Sequence, residues 1–118
     1  MPAAGRPPIA ITQHGDAVSA ALAGDFDMQA TFTVEPALER ALDTPGLRRM
    51  ELDLRGLDFI DSTGMGVILR LHHEARGRGV QLRLRRGPSV VHRVFEKTGL
   101  ADALPFDPPE EETPGSSS

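Results

Sequence analysis

Apolar and polar residues alternate in four short runs along the chain, and between the runs apolar residues recur at helical spacing. Ile9 and Ile11 open a first strand, and His14-Gly15-Asp16 turns it. Val18, Ala20 and Leu22 continue as a second, antiparallel strand that ends at Gly24-Asp25-Phe26-Asp27. Leu38, Ala41 and Leu42 fall on one helical face, and Thr44-Pro45-Gly46 stops that helix. Its start has two readings, because proline is tolerated only in a first turn. Either the helix begins near Glu35, just ahead of Pro36, or a separate short turn covers Met28–Val34. Met50, Leu52 and Leu54 make a third strand with Glu51, Asp53 and Arg55 facing out, and the strand closes on Phe59-Ile60. Residues 63–76 read as a second helix, with Gly64, Val67, Ile68, Leu71 and Ala75 on one face. Met65 and Leu69 extend that arc to one side, further than packing on a sheet requires, which makes them candidates for a partner interface.

Gly77 and Gly79 end the second helix, and Val80, Leu82 and Leu84 form a fourth strand. Gly87-Pro88-Ser89 leads into a third helix with Val91, Val94 and Phe95 inside and His92 at its surface or half-buried. Gly99-Leu100 caps that helix, and Leu104-Pro105-Phe106 offers a last short edge strand. Strands that alternate, rather than run continuously apolar, belong to a sheet with one covered and one wetter face. The expectation is an α/β domain: a mixed four- to five-stranded sheet with helices mainly on one face and right-handed crossovers. Residues 8–107 would form the domain, 1–7 a flexible N-terminus, and 108–118 a disordered acidic Pro/Ser-rich tail.

Composition narrows the classes. A chain of 118 residues suits one domain, and without cysteine it has no disulfide framework, thiolate metal site or cysteine nucleophile. No apolar run approaches the ~20 residues of a membrane span, and no secretory signal opens the chain, so the expected place is the cytoplasm, away from membranes. The net charge of −4 hides a basic stretch: Arg70, Arg76, Arg78, Arg83, Arg85, Arg86, Arg93 and Lys97 stand against Glu74 and Glu96. These cations read as solvated faces rather than a nucleic-acid patch, because no Trp or Tyr accompanies them and Phe95 sits at a core-like position.

The candidate chemistry lies at Asp61-Ser62-Thr63-Gly64-Met65-Gly66, where the third strand gives way to the second helix. A hydroxyl there has two uses: it caps the helix by accepting a bond from a backbone N–H, or it accepts a phosphate. Catalysis finds no footing. Ser62 lacks the Gly-x-Ser-x-Gly elbow, and a third glycine of a dinucleotide fingerprint would fall at Leu69. His72 and His73 diverge by about 100° on a helix, and His14 and His92 have no metal spacing with them. No enzyme activity, cofactor or metal is expected.

Leu54-Arg55-Gly56-Leu57-Asp58-Phe59-Ile60-Asp61-Ser62-Thr63-Gly64-Met65-Gly66-Val67-Ile68-Leu69 resembles the core signature of STAS domains, the fold of anti-sigma factor antagonists and of sulphate-transporter tails. The resemblance runs from about Ile9 to Leu104. It implies that the unmodified protein binds an anti-sigma factor that is also a serine kinase, freeing a sigma factor. It also implies that the kinase phosphorylates Ser62, with Thr63 as the fallback, and that a metal-dependent serine phosphatase reverses the modification. Asp27 carries over as a contact near Ser62, and Asp61, Thr63 and Gly64 as neighbours in the same surface. One departure is plain: sigma-regulator members often carry a further C-terminal helix, for which Pro108-Pro109-Glu110 offers no pattern. The family also includes transporter tails, sensors, and subunits of stress-signalling or lipid-transport complexes. An interaction subunit without phosphorylation is therefore the rival reading.

Overall fold

The computed structural model of the chain describes residues 7–108. The expected flexible N-terminus and acidic tail lie, apart from residues 7 and 108, outside them. β1 (Ile9–His14) and β2 (Ala17–Phe26) form a hairpin whose tight turn needs the left-handed backbone of Gly15, at φ 59°. β3 (Arg49–Ile60) pairs parallel to β2, and β4 (Gln81–Arg85) parallel to β3, giving the sheet order β1-β2-β3-β4. α1 (Met28–Leu42) connects β2 to β3, α2 (Ser62–Gly77) connects β3 to β4, and α3 (Ser89–Lys97) follows β4. Phe106 then returns to make one parallel bridge with Leu84, a rudimentary fifth strand.

One sheet face carries the core. Val18, Ala20, Leu22, Met50, Leu52, Leu54, Leu82 and Leu84 are buried against Val34 and Leu38 of α1, Ile68 and Leu71 of α2, and Val91 and Phe95 of α3. On the opposite face stand Ser19, Glu51, Asp53 and Arg83, none of them buried. The inward positions of β3 step by two from Met50 to Leu54, then by three to Leu57 and Ile60. Two register shifts against β2 each absorb one extra residue there. The first turns Leu57 inward; the second returns Ile60 to the inner face, opposite Phe26, and leaves Phe59 exposed.

Two expectations are corrected. α1 is one continuous helix from Met28, with Pro36 inside it, so neither a start near Glu35 nor a separate turn over 28–34 occurs. Asp27 fixes the helix start by accepting from the Ala30 N–H, and Pro36 lies on the exposed face. The hydrogen bond it cannot make is therefore lost where water can replace it. His92, expected at or near the surface, is only 6% exposed and sets its ring edge-on to Phe106 at 4.8 Å between centroids. The expected cap of α3 holds: Gly99 at φ 79° lets the Leu100 N–H reach the Phe95 carbonyl at 2.8 Å.

Burial, and next to it the Arg86 guanidinium, hold the His92 imidazole below its usual 6.5, with Glu96 acting the other way. His72 is lowered too, by burial first and then by Arg76 and His73. A histidine kept neutral by the fold but free to charge in the unfolded chain makes the unfolded state bind more protons once the pH falls below the unfolded value. Stability should therefore be full above neutrality and fall as the pH drops through about 6.5. Urea unfolding at pH 7.5 and about pH 5.5, above the carboxylate range, checks this. His72→Leu with His92→Leu should flatten the slope, and an unchanged slope would assign it to other groups.

Candidate functional site

β2 and β3 end side by side, with Phe26 opposite Ile60 and the Asp61 N–H donating to the Phe26 carbonyl at 3.3 Å. Each strand then passes through an aspartate into a helix, and the two junctions are alike. Asp27 accepts from the Ala30 N–H at 3.0 Å, and Asp61 from the Gly64 N–H at 3.0 Å, each from an extended backbone. Both carboxylates are therefore engaged as helix caps. Asp27, Asp61, Ser62, Thr63 and Gly64 come together at this one end of the molecule.

Of the two uses open to the Ser62 hydroxyl, capping is taken by its neighbour. Ser62 is the first residue of α2 and is exposed, and among the described residues no hydrogen bond engages its Oγ. The Ser62 and Thr63 N–H groups precede the first intrahelical bond and, among the described residues, have no protein acceptor. Together with the helix dipole they favour negative charge at this point. Thr63 is half-buried.

Gly64 is fixed by space rather than by backbone conformation. A Cβ there would collide with the Phe26 carbonyl oxygen and would lie 3.0 Å from Phe26 Cγ and 3.2 Å from Ile60 Cγ1. The first turn of α2 thus rests directly on the ends of both strands. Met65, expected as a surface anchor, is only 7% exposed and belongs to the core; the arc it extends is covered, not surplus. Leu69 is half-buried and packs at the margin of that core.

The apolar surface at this end lies elsewhere. Of the five large hydrophobic residues exposed among the described residues, Met28 (61%), Phe32 (76%) and Phe59 (49%) belong to the elements that meet here. Met28 and Phe32 sit four apart, outside the arc of Val34, Leu38 and Ala41. That spacing was readable in the sequence, but the uncertain start of α1 hid it. Glu35 of α1 binds Arg70 of α2 at 2.8 Å and ties the two helices together one turn further on. Among the described residues no group of three or more His, Asp or Glu side chains is placed to hold a metal, and no helix is long and apolar enough to cross a membrane.

Two substitutions test this arrangement by urea unfolding. Gly64→Ala should destabilise by about 1–3 kcal/mol, because the helix start must move off the Phe26 carbonyl. Met65→Ala should cost about 2–5 kcal/mol, as for a buried side chain. Losses below about 0.5 kcal/mol at both positions would mean that the helix start is loosely seated.

A family model described as STAS domain matches residues 8–113. The anti-sigma-B factor antagonist of Listeria monocytogenes is 32% identical over 89 residues, which cover 75% of this chain and 77% of that one. Two solved structures share the fold. An anti-sigma factor antagonist from Mycobacterium paratuberculosis has a TM-score of 0.75 at 18% identity, covering 87% of this chain and 86% of the other. The Bacillus cell fate determinant SpoIIAA in its phosphorylated form has a TM-score of 0.65 at 20% identity, covering 87% and 94%. An exposed serine at the start of α2, the mixed sheet beneath it and these likenesses agree: the chain belongs to the STAS domain family, among the anti-sigma factor antagonists.

Proposed function

We propose that the protein is a phosphorylation-controlled antagonist. Unmodified, it binds an anti-sigma factor that is also a serine kinase and so releases a sigma factor; phosphorylated at Ser62, it lets go. The observation that carries this reading is the division of labour at the start of α2, where Asp61 caps the helix and leaves the Ser62 hydroxyl exposed and, among the described residues, unengaged. A phosphate there meets the positive end of α2 and the N–H groups of Ser62 and Thr63, so the fold tolerates it. Its charge of roughly −1.5 to −2 changes the surface instead.

The sign of that change follows from phosphoryl transfer. A kinase acting on Ser62 must hold the γ-phosphate of ATP in line with Oγ. After transfer the phosphoserine faces the phosphates of the remaining nucleotide, beside Asp61, and the like charges part the two proteins. Asp27, Asp61, Ser62, Thr63 and Gly64 form the centre of the contact in this reading, with Leu69 at its margin. A serine phosphatase restores the binding form. These partners place the protein in the cytoplasm.

The test uses the anti-sigma factor kinases of the source organism, each purified and incubated with this protein and ATP. One phosphate should enter the wild type and none Ser62→Ala. That variant loses no cap and should melt within about 2 °C of wild type, bind its kinase and stay bound. Ser62→Asp adds one negative charge at a helix start, should fold at least as well, and should bind more weakly, though less completely than phosphate would achieve. Uptake at Thr63 would move the site by one residue. No uptake from any of these kinases, with binding indifferent to Ser62→Asp, would leave an interaction subunit of a stress-signalling or lipid-transport complex as the better reading.

A further inference from the structure

We infer that Met28 and Phe32 of α1 form the apolar anchor by which the Ser62 kinase grips this protein, and that the kinase pocket receiving them is bordered by cationic side chains. The inference rests on the reading of Ser62 above and names the surface that reading leaves open. At 100° per residue, Met28 and Phe32 lie on the same flank of α1 as Glu35 and Glu39. That flank faces α2, because Glu35 hydrogen-bonds Arg70 there. The two exposed side chains therefore stand beside the first turn of α2, on the side of Thr63. A protein docked over Ser62 and this flank of α1 would cover them.

The inner face of α1 is complete without them. Phe32 is 76% exposed in a helix whose inner face is already filled by Val34, Leu38, Ala41 and Leu42. A protein that stood alone would gain from a polar residue at this position. Charge identifies the occupant. The segments Ala17–Glu39 and Gly56–Leu69 contain no lysine or arginine, and they carry Asp25, Asp27, Glu35, Glu39, Asp58 and Asp61. Asp25 and Asp58 are exposed at the ends of β2 and β3. Glu35 is paired with Arg70, and Asp27 and Asp61 are engaged as helix caps, so the charge left to a partner at this end is that of the exposed Asp25 and Asp58. An apolar patch with such acidic neighbours fits a partner with an apolar pocket and a cationic rim. The rim contacts Asp25 and Asp58, whereas the nucleotide faces Ser62, so the attraction that assembles the pair and the repulsion that parts it act at different points.

The experiment uses the kinase that phosphorylates the wild type, loaded with ADP so that binding is read without turnover. Phe32→Gln should weaken binding roughly 30-fold, the weight of one anchor side chain. Met28→Gln should weaken it several-fold, and Phe32→Lys more than Phe32→Gln, because it sets a cation against the cationic rim. Asp58→Asn should flatten the salt dependence of association. Val90→Gln, an equally exposed position on α3, should change nothing. All of these variants should melt within about 2 °C of wild type. If a kinase phosphorylates the wild type yet binds the Met28→Gln, Phe32→Gln double variant within about twofold, the anchor is wrong and the Ser62 reading stands. If no kinase acts on the wild type, that reading falls and the anchor falls with it.

Discussion

A backbone carbonyl seated against a glycine sets the geometry of the functional end. The Phe26 oxygen leaves no room for a side chain at Gly64, and it also accepts the Asp61 N–H, so β2, β3 and α2 converge on one peptide group. Everything exposed at that end depends on this contact. It fixes where α2 begins, hence which residue caps it and which residue is left over. Asp61 takes the cap and Ser62 is displaced by one position into solvent. A shift of a single residue would reverse those roles and place the hydroxyl against the backbone.

The register shifts in β3 serve the same end. A strand of strict alternation from Met50 would turn residue 60 inward as well, but at residue 57 it would point outward. The structure buries Leu57 and Ile60 and exposes Phe59 by inserting one residue twice against β2. The extra length brings the end of β3 level with the end of β2. Without that match the two aspartate junctions would not stand side by side, and α1 would not present its first two turns next to Ser62. Arg49, Arg78 and Arg83 lie elsewhere by their place in the chain and pair there with Asp16, Asp43 and Asp107, and Arg70 is paired with Glu35.

What the sequence made legible, and what it hid, divides along physical lines. Strand positions were readable because a half-covered sheet imposes a period of two, and Leu52 or Leu84 has no other place to go. The start of α2 was readable from Asp61 to Gly66 because caps and close approach demand particular residue types. The start of α1 was not, because Pro36 argues locally against a helix, whereas the Asp27 cap and the buried face from Thr31 to Leu42 are tertiary gains. Met65 was misread for a related reason. A wheel shows which residues share a face, but not how far neighbouring elements reach around it, and here the covered arc is wider than one sheet contact. His92 was missed because the aromatic contact that buries it comes from Phe106, fourteen residues on.

A fold built this way suits a switch that acts on charge rather than on shape. The first turn of α2 is anchored by the Asp61 cap, by Gly64 against the Phe26 carbonyl, and by Met65 and Val67 in the core. Moving it would expose those groups, at a cost of several kcal/mol. A phosphate at Ser62 gains favourable interactions from the helix end as it stands, so nothing drives such a movement. The Glu35–Arg70 pair ties α1, with its exposed Met28 and Phe32, to the same helix. In the proposed switch, a phosphate would change the sign of an encounter without changing the surface that makes it. The proposed partner, docking by shape and departing by charge, would need a platform that does not yield, and the crowded junction of β2, β3 and α2 is such a platform.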